Sequence, residues 1–95
     1  MFTWINKQSI KSDEGYSLLG TDRWNYTYIE GTRQLIIPVQ GLFIENNYTL
    51  EVSINFSHWQ PPFDKEIIDN AKYQKIIIKI KQAFTFMGIN AKYVK

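Results

Sequence analysis

The most constraining feature of this chain is a run of strict alternation. Tyr48, Leu50, Val52, Ile54 and Phe56 alternate with Thr49, Glu51, Ser53, Asn55 and Ser57. Successive side chains of a strand point to opposite faces, so this run is a strand with one face buried and one wet. A sheet built on it needs something apolar to cover the first face. The only long helical pattern available lies after Pro61-Pro62. There Tyr73, Ile76, Ile77, Ile80, Phe84 and Met87 recur at spacings of three, four and seven, which place them on one stripe of a helix. The spacing predicts a helix from Asp64 to Met87, about 36 Å long at ~1.5 Å per residue. Acidic Asp64, Glu66 and Asp69 favour its start, and Gly88 terminates it.

Ahead of the prolines the chain reads as strands and turns. Gly31-Thr32 is a Gly-first pair suited to a two-residue type II′ turn. That turn pairs Glu30 with Arg33, Tyr28 with Leu35, Tyr26 with Ile37 and Trp24 with Val39, and places Trp24, Tyr26 and Tyr28 against the helix. Asn46-Asn47 suits a second turn, because Asn tolerates the left-handed conformation. It pairs Glu45 with Tyr48 and Phe43 with Leu50, and Leu35, Ile37, Val39, Gly41 and Phe43 then share the inner face. Pro38 cannot donate to a ladder, and marks an edge, a bulge or a break. Phe2–Ile5 and Tyr16–Leu19 are weaker strand signals, with Ser12-Asp13-Glu14-Gly15 as a turn between them. Ala91–Val94 is a short strand for a sheet edge. The expected architecture is an α+β domain: an antiparallel meander of four to six strands with one long C-terminal helix on one face. The 95 residues are expected to form a single domain, residues 1–95.

With one helix, the second sheet face is left to Asn25, Thr27, Gln34, Gln40, Thr49, Glu51, Ser53 and Asn55, interspersed with Ile29, Ile36, Leu42 and Ile44. An apolar stripe on a polar face suits a macromolecular partner, unless residues 1–20 fold over it. Little points to chemistry. The chain has no Cys and a single His, so thiolate metal sites and Cys nucleophiles are excluded. No carboxylate spacing resembles a calcium loop. His58 follows Ser57 at a strand end, where adjacent side chains diverge. No cofactor, metal site or catalytic residue is expected, and the chain reads as a non-enzyme. No apolar run reaches the ~18 residues of a membrane span, and no export signal opens the sequence.

Formal charge is +2 and unevenly spread. Residues 1–60 hold four basic and six acidic side chains, while residues 71–95 hold six Lys and no acid. Lys72, Lys75 and Lys79 form a basic helix stripe. It is either a solvated face or a contact for an anionic partner, and it carries the alternative reading of a nucleic-acid-binding or regulatory module.

The order of features resembles a family. A Ser-Asp-Glu-Gly turn leads into an aromatic strand ending Tyr-Ile-Glu-Gly-Thr-Arg. Leu-Ile-Ile-Pro-Val and the long alternating strand follow. Then come Trp59 with Pro61-Pro62-Phe63, and a helix ending Ala-Phe-Thr-Phe-Met-Gly. Over roughly residues 9–94 this is similar to the small immunity proteins of bacterial contact-dependent growth inhibition and related polymorphic toxin systems. The resemblance implies a cytoplasmic, non-enzymatic protein that binds one cognate toxin C-terminal domain, often a nuclease. The slightly basic balance departs from the acidic character common among nuclease inhibitors, so it implies blockade away from the toxin's catalytic centre or a toxin without a very basic face. Expected partner contacts are Ile29, Glu30, Arg33, Ile36, Ile44, Glu51, His58 and Trp59, with Glu30, Glu45 and Glu51 the acidic groups of first interest.

Overall fold

A computed structural model describes all residues, 1–95. The chain builds one seven-stranded sheet whose spatial order follows the sequence. The strands are β1 (Phe2–Asn6), β2 (Ser9–Ser12), β3 (Tyr16–Gly20), β4 (Asn25–Glu30), β5 (Arg33–Ile44) and β6 (Asn47–Ser53), then β7 (Ala91–Val94) after helix α1 (Asn70–Phe86). Neighbours are antiparallel except β6 and β7, which run parallel. A parallel pair needs a crossover between its strands, and α1 supplies it.

The α+β class with a single helix is as expected, but the strand count exceeds four to six. The extra strands come from the N-terminal twenty residues. They do not fold over the open face; they extend the sheet sideways. β2 is the strand that the sequence hides, being four residues long with only Ile10 as a large apolar side chain.

The first hairpin has the expected register, with Glu30 opposite Arg33, Tyr28 opposite Leu35 and Tyr26 opposite Ile37. Gly31 adopts φ 63°, a conformation available to Gly at little cost. Trp24 departs from expectation. Its carbonyl accepts the Val39 N–H at 2.8 Å, but its ring lies outside β4 and is 60% exposed. The second hairpin turns one residue earlier than Asn46-Asn47 implies, which shifts the pairing register by two. Glu45 and Asn46 occupy the turn with φ of 51° and 67°, and Phe43 lies opposite Tyr48. Two positive φ values in succession mark a type I′ turn, whose twist matches that of the strands. This register stacks Phe43 edge-on against Tyr48 at 5.6 Å and lays the Tyr48 ring over Gly41, where a Cβ would meet its hydroxyl at 2.5 Å. A shift of two keeps every side chain on its expected face. Pro38 breaks nothing, because β5 runs through it for 12 residues. The Ile37 and Val39 backbones bond towards β4, so the missing Pro38 donor faces the other side, where β6 pairs only from Val39 onward.

The helix is shorter than its pattern, Asn70–Phe86 rather than Asp64–Met87. Residues 60–68 turn instead: Phe63 N–H donates to Gln60 O, Glu66 N–H to Phe63 O, and Ile68 N–H to Ser57 O. Asp69 then caps α1, its carboxylate accepting the Lys72 N–H at 2.8 Å. At the other end Gly88 (φ 73°) and the bonds Gly88 N–H to Thr85 O and Ile89 N–H to Phe84 O form a Schellman stop.

The buried helix stripe is Ile76, Ile77, Ile80, Ala83 and Phe84. It joins Ile10, Leu18, Tyr28, Leu35, Ile37, Val52 and Ile54 of the sheet in one core. Tyr73 donates its hydroxyl to Ile54 O at 2.6 Å, and Phe84 meets Tyr26 edge-on at 5.0 Å. The β5–β6 tip extends past the helix, which leaves Phe43 78% exposed although it shares the inner face. Trp59 and Ile68 are buried in the same core and anchor the loop that leads into α1. Truncating Ile80→Ala removes buried methyl groups at a fully enclosed site and is expected to cost about 2–5 kcal/mol. Ile36→Ser on the opposite face is expected to change stability by only about 0.5 kcal/mol. Urea unfolding of the two variants measures the contrast.

Candidate functional site

The sheet face away from α1 carries no covering element. Its register aligns Leu19, Thr27 and Ile36 across β3, β4 and β5, with Ile29 opposite Gln34 beside them. Along β5 the same face presents Ile36, Pro38, Gln40, Leu42 and Ile44. This stripe is about 27 Å long at ~3.4 Å per residue. Ile36 and Ile44 are exposed, while Ile29, Leu19 and Leu42 are half-buried among their neighbours. Polar groups edge the stripe. Thr49 is buried and its hydroxyl accepts from the Asn90 side-chain amide at 3.0 Å, and Glu51 lies opposite Lys92 of β7. Opposite charges on neighbouring strands leave this part of the face close to neutral.

Of the expected contact residues, Ile29, Ile36, Ile44 and Glu51 are brought together on this face. Glu30, Arg33, His58 and Trp59 are not. Trp59 is only 5% exposed, so it packs in the core and is unavailable as an interface anchor. Glu30 and Arg33 are opposed in the backbone ladder, but their side chains do not pair with each other. Both lie on the helix side, and each is drawn to a group beyond the sheet. Arg33 forks onto Glu66 at 2.7 and 2.8 Å and lies 4.3 Å above the Phe63 ring. The Glu66 that the sequence assigns to the helix start therefore holds the loop to β5.

Glu30 is the hub of the second network. It accepts the Tyr28 hydroxyl at 2.7 Å, the Lys72 ammonium in a short contact, and the Lys79 ammonium at 3.3 Å. Lys72 and Lys79 lie seven residues apart, two helical turns, so one carboxylate binds both ends of that stretch to β4. Partial burial raises the Glu30 pKa, but the bonds from Lys72, Tyr28 and Lys79 more than reverse this and hold it below the usual carboxylate value. The Tyr28 phenol is pushed strongly upward, first by burial and then by its bond to Glu30. Two of the three Lys of the basic stripe are thus engaged within the fold, and Lys75 alone is free of such a bond.

Ser57 and His58 also depart from expectation. The chain leaves the strand after Ser53, so the two side chains do not diverge, and Ser57 Oγ lies 2.8 Å from His58 Nδ1. Both residues are exposed, and this contact is the only side-chain hydrogen bond of the ring. Nucleophilic catalysis needs the base oriented by a third group beside an anion-stabilising pocket. The His58 ring has no such orienting bond. A pocket of about 430 Å³ lies elsewhere, between the Asp22–Trp24 turn and the β5–β6 hairpin, lined by Trp24, Tyr26, Tyr48 and Leu50. The Asp22 carboxylate at its rim already accepts the Trp24 N–H at 2.7 Å. No group of three His, Cys, Asp or Glu converges as a metal site, and no helix is long and apolar enough to cross a membrane.

Comparison with protein-family models, with curated proteins and with solved structures gives no match.

Alternation alone marks Ile29, Ile36, Leu42 and Ile44 as outward residues. Leu19 carries no such signal, because nothing local sets the register of β3 to β4. The Glu30 network has a sequence signal, two Lys at a spacing of seven, but only the helix docking angle reveals the shared carboxylate. A depressed carboxylate pKa stabilises the fold above the unfolded value and loses that contribution as pH falls through the folded one. Stability is therefore expected to drop as pH is lowered from about 4.5, the range where an unfolded Glu titrates. Glu30→Gln should make that acid limb shallower, leaving the parts due to Asp13 and Glu66, whose carboxyls are also held low by their cationic partners. Urea midpoints between neutral pH and pH ~3 for both proteins check this.

Proposed function

We propose that this protein is an immunity protein, which binds one cognate toxin domain of the contact-dependent inhibition type and neutralises it by steric, stoichiometric occlusion. The observation that carries the reading is the uncovered stripe Ile36–Ile44, with Ile29 and Leu19 beside it and polar groups around it. An apolar centre within a polar rim is the anatomy of a protein-binding surface. A total buried area of about 1,200–2,000 Å² is expected for a stable complex. The contacts on this reading are Leu19, Ile29, Ile36, Leu42, Ile44 and Glu51, with Glu45 at the adjoining hairpin turn. The near-neutral face fits a toxin surface that is not strongly basic. The protein acts in the cytoplasm on this reading, since a toxin is neutralised where it arrives.

The nucleic-acid alternative rests on Lys72, Lys75 and Lys79. Glu30 holds two of these, which leaves too little free positive charge on the helix to favour it over the apolar face.

The reading expects the neighbouring gene to encode a large secreted protein with a variable C-terminal domain, and the test is titration of the purified protein with that domain; a neighbour of another kind contradicts the reading. One-to-one binding with a shallow salt dependence is expected. Phosphate binding would instead weaken steeply as salt rises. The double variant Ile36→Arg/Ile44→Arg is expected to weaken binding at least about 100-fold, the scale of losing central interface contacts, while its unfolding midpoint stays near that of the parent. Absence of binding to that domain contradicts the reading. Binding unaffected by the double variant moves the contact off this face.

A further inference from the structure

The two edges of the sheet are unlike each other. β7 is four residues long, carries Lys92 and is followed by Lys95. Short strands and Lys are the usual protections of a free edge against pairing. β1 is Phe-Thr-Trp-Ile-Asn, with no charge and no Pro, and its one irregularity, a bulge between Trp4 and Asn6, lies beyond the regular Phe2–Trp4 stretch. The Met1 carbonyl accepts the Asp13 N–H at 3.1 Å, so Met1 and Thr3 direct their backbone groups to β2. By strand alternation, Phe2 and Trp4 direct theirs outward, where no strand pairs with them.

The side chains at this edge are also unfinished. Phe2 and Trp4 lie on the helix side and meet Phe86 at 5.1 and 5.6 Å. Yet Trp4 stays 48% exposed and Phe86 42%. Ile78, two helical turns before Phe86, continues the apolar surface, and a shallow groove of about 420 Å³ runs between it, Phe2 and Phe86. Open backbone donors and acceptors therefore lie next to a half-exposed aromatic cluster.

We infer that a second copy of this chain docks at this edge, with β1 pairing antiparallel to β1 of the other copy about a two-fold axis. β1 has no charged side chain, so pairing with itself sets no like charges against each other. With Thr3 on the axis, Phe2 of each copy lies opposite Trp4 of the other. Their outward backbone groups then bond across the junction, and Phe2, Trp4 and Phe86 of both copies form one ring cluster on the helix side. Each copy's surface plays the same role, the closed arrangement of an isologous dimer. The junction is small, one five-residue strand and the rings beside it from each copy, so a weak, concentration-dependent dimer is expected. This edge is separate from the stripe of the proposed toxin contact and does not rest on that reading.

Sedimentation equilibrium of the full chain between about 1 and 200 µM, bracketing the affinity expected for so small an area, is expected to show a monomer–dimer equilibrium. Trp4→Lys places a charge on the junction and is expected to raise the dissociation constant at least tenfold. The chain has no Cys, so an introduced one is unique. Facing residues of a non-hydrogen-bonded antiparallel pair approach to about 4.5 Å between Cα atoms, within reach of a disulfide. Thr3→Cys is therefore expected to form a covalent dimer under mild oxidation much faster than Lys92→Cys on β7. A chain that stays monomeric to 200 µM overturns the inference. So does a dimer that ignores Trp4→Lys, or equal oxidation rates for the two Cys variants.

Discussion

The structure depends on a single helix having to serve a seven-stranded sheet. Seven strands at ~4.8 Å spacing span about 29 Å, and 17 helical residues at ~1.5 Å extend about 25 Å. One helix can thus cross one face and nothing remains for the other. Burial of Ile76, Ile77, Ile80, Ala83 and Phe84 drives the docking, because it removes their apolar surface from water. Glu30 adds direction. A carboxylate that binds Tyr28 on its own strand and two Lys on the helix fixes how α1 lies over β4. These partners also settle its protonation, since a partly buried carboxylate without them would be forced towards the neutral form.

The consequences appear at the places the helix does not reach. At the β5–β6 tip the inner face emerges from cover, and Phe43 and Tyr48 meet edge to face instead of packing on α1. At the β1 edge Phe86 reaches Phe2 and Trp4 but does not enclose them. Across the whole opposite face the stripe from Ile36 to Ile44 meets water. The Glu30 carboxylate, the most heavily bonded in the chain, is engaged in holding the helix.

The sequence made the inner face legible because period-2 and period-3.6 patterns overlap little, and the two converge on one core. The Gly31 turn was legible too, since Gly adopts its positive φ at little cost. Three things were not. The turn at Glu45-Asn46 competes with Asn46-Asn47 at equal parity, and the choice between them falls to the Tyr48 ring seeking the gap over Gly41. The helix start moved from Asp64 to Asn70 because Glu66 is captured by Arg33, 33 residues away. The first twenty residues became strands by pairing with neighbours, not by their own pattern. On the candidate site, the outward Ile residues were readable from alternation alone. The burial of Trp59 and the inward engagement of Glu30 and Arg33 are tertiary outcomes that no local spacing encodes.

Solvent paramagnetic relaxation of the isoleucine δ-methyl groups tests the one-sided cover most directly, because isoleucines sit on both faces of the same strand. A soluble spin probe is expected to broaden Ile36 and Ile44 strongly and to leave Ile37, Ile76 and Ile80 sharp. Equal protection of Ile36 and Ile37 would show that the second face is covered and would contradict the account.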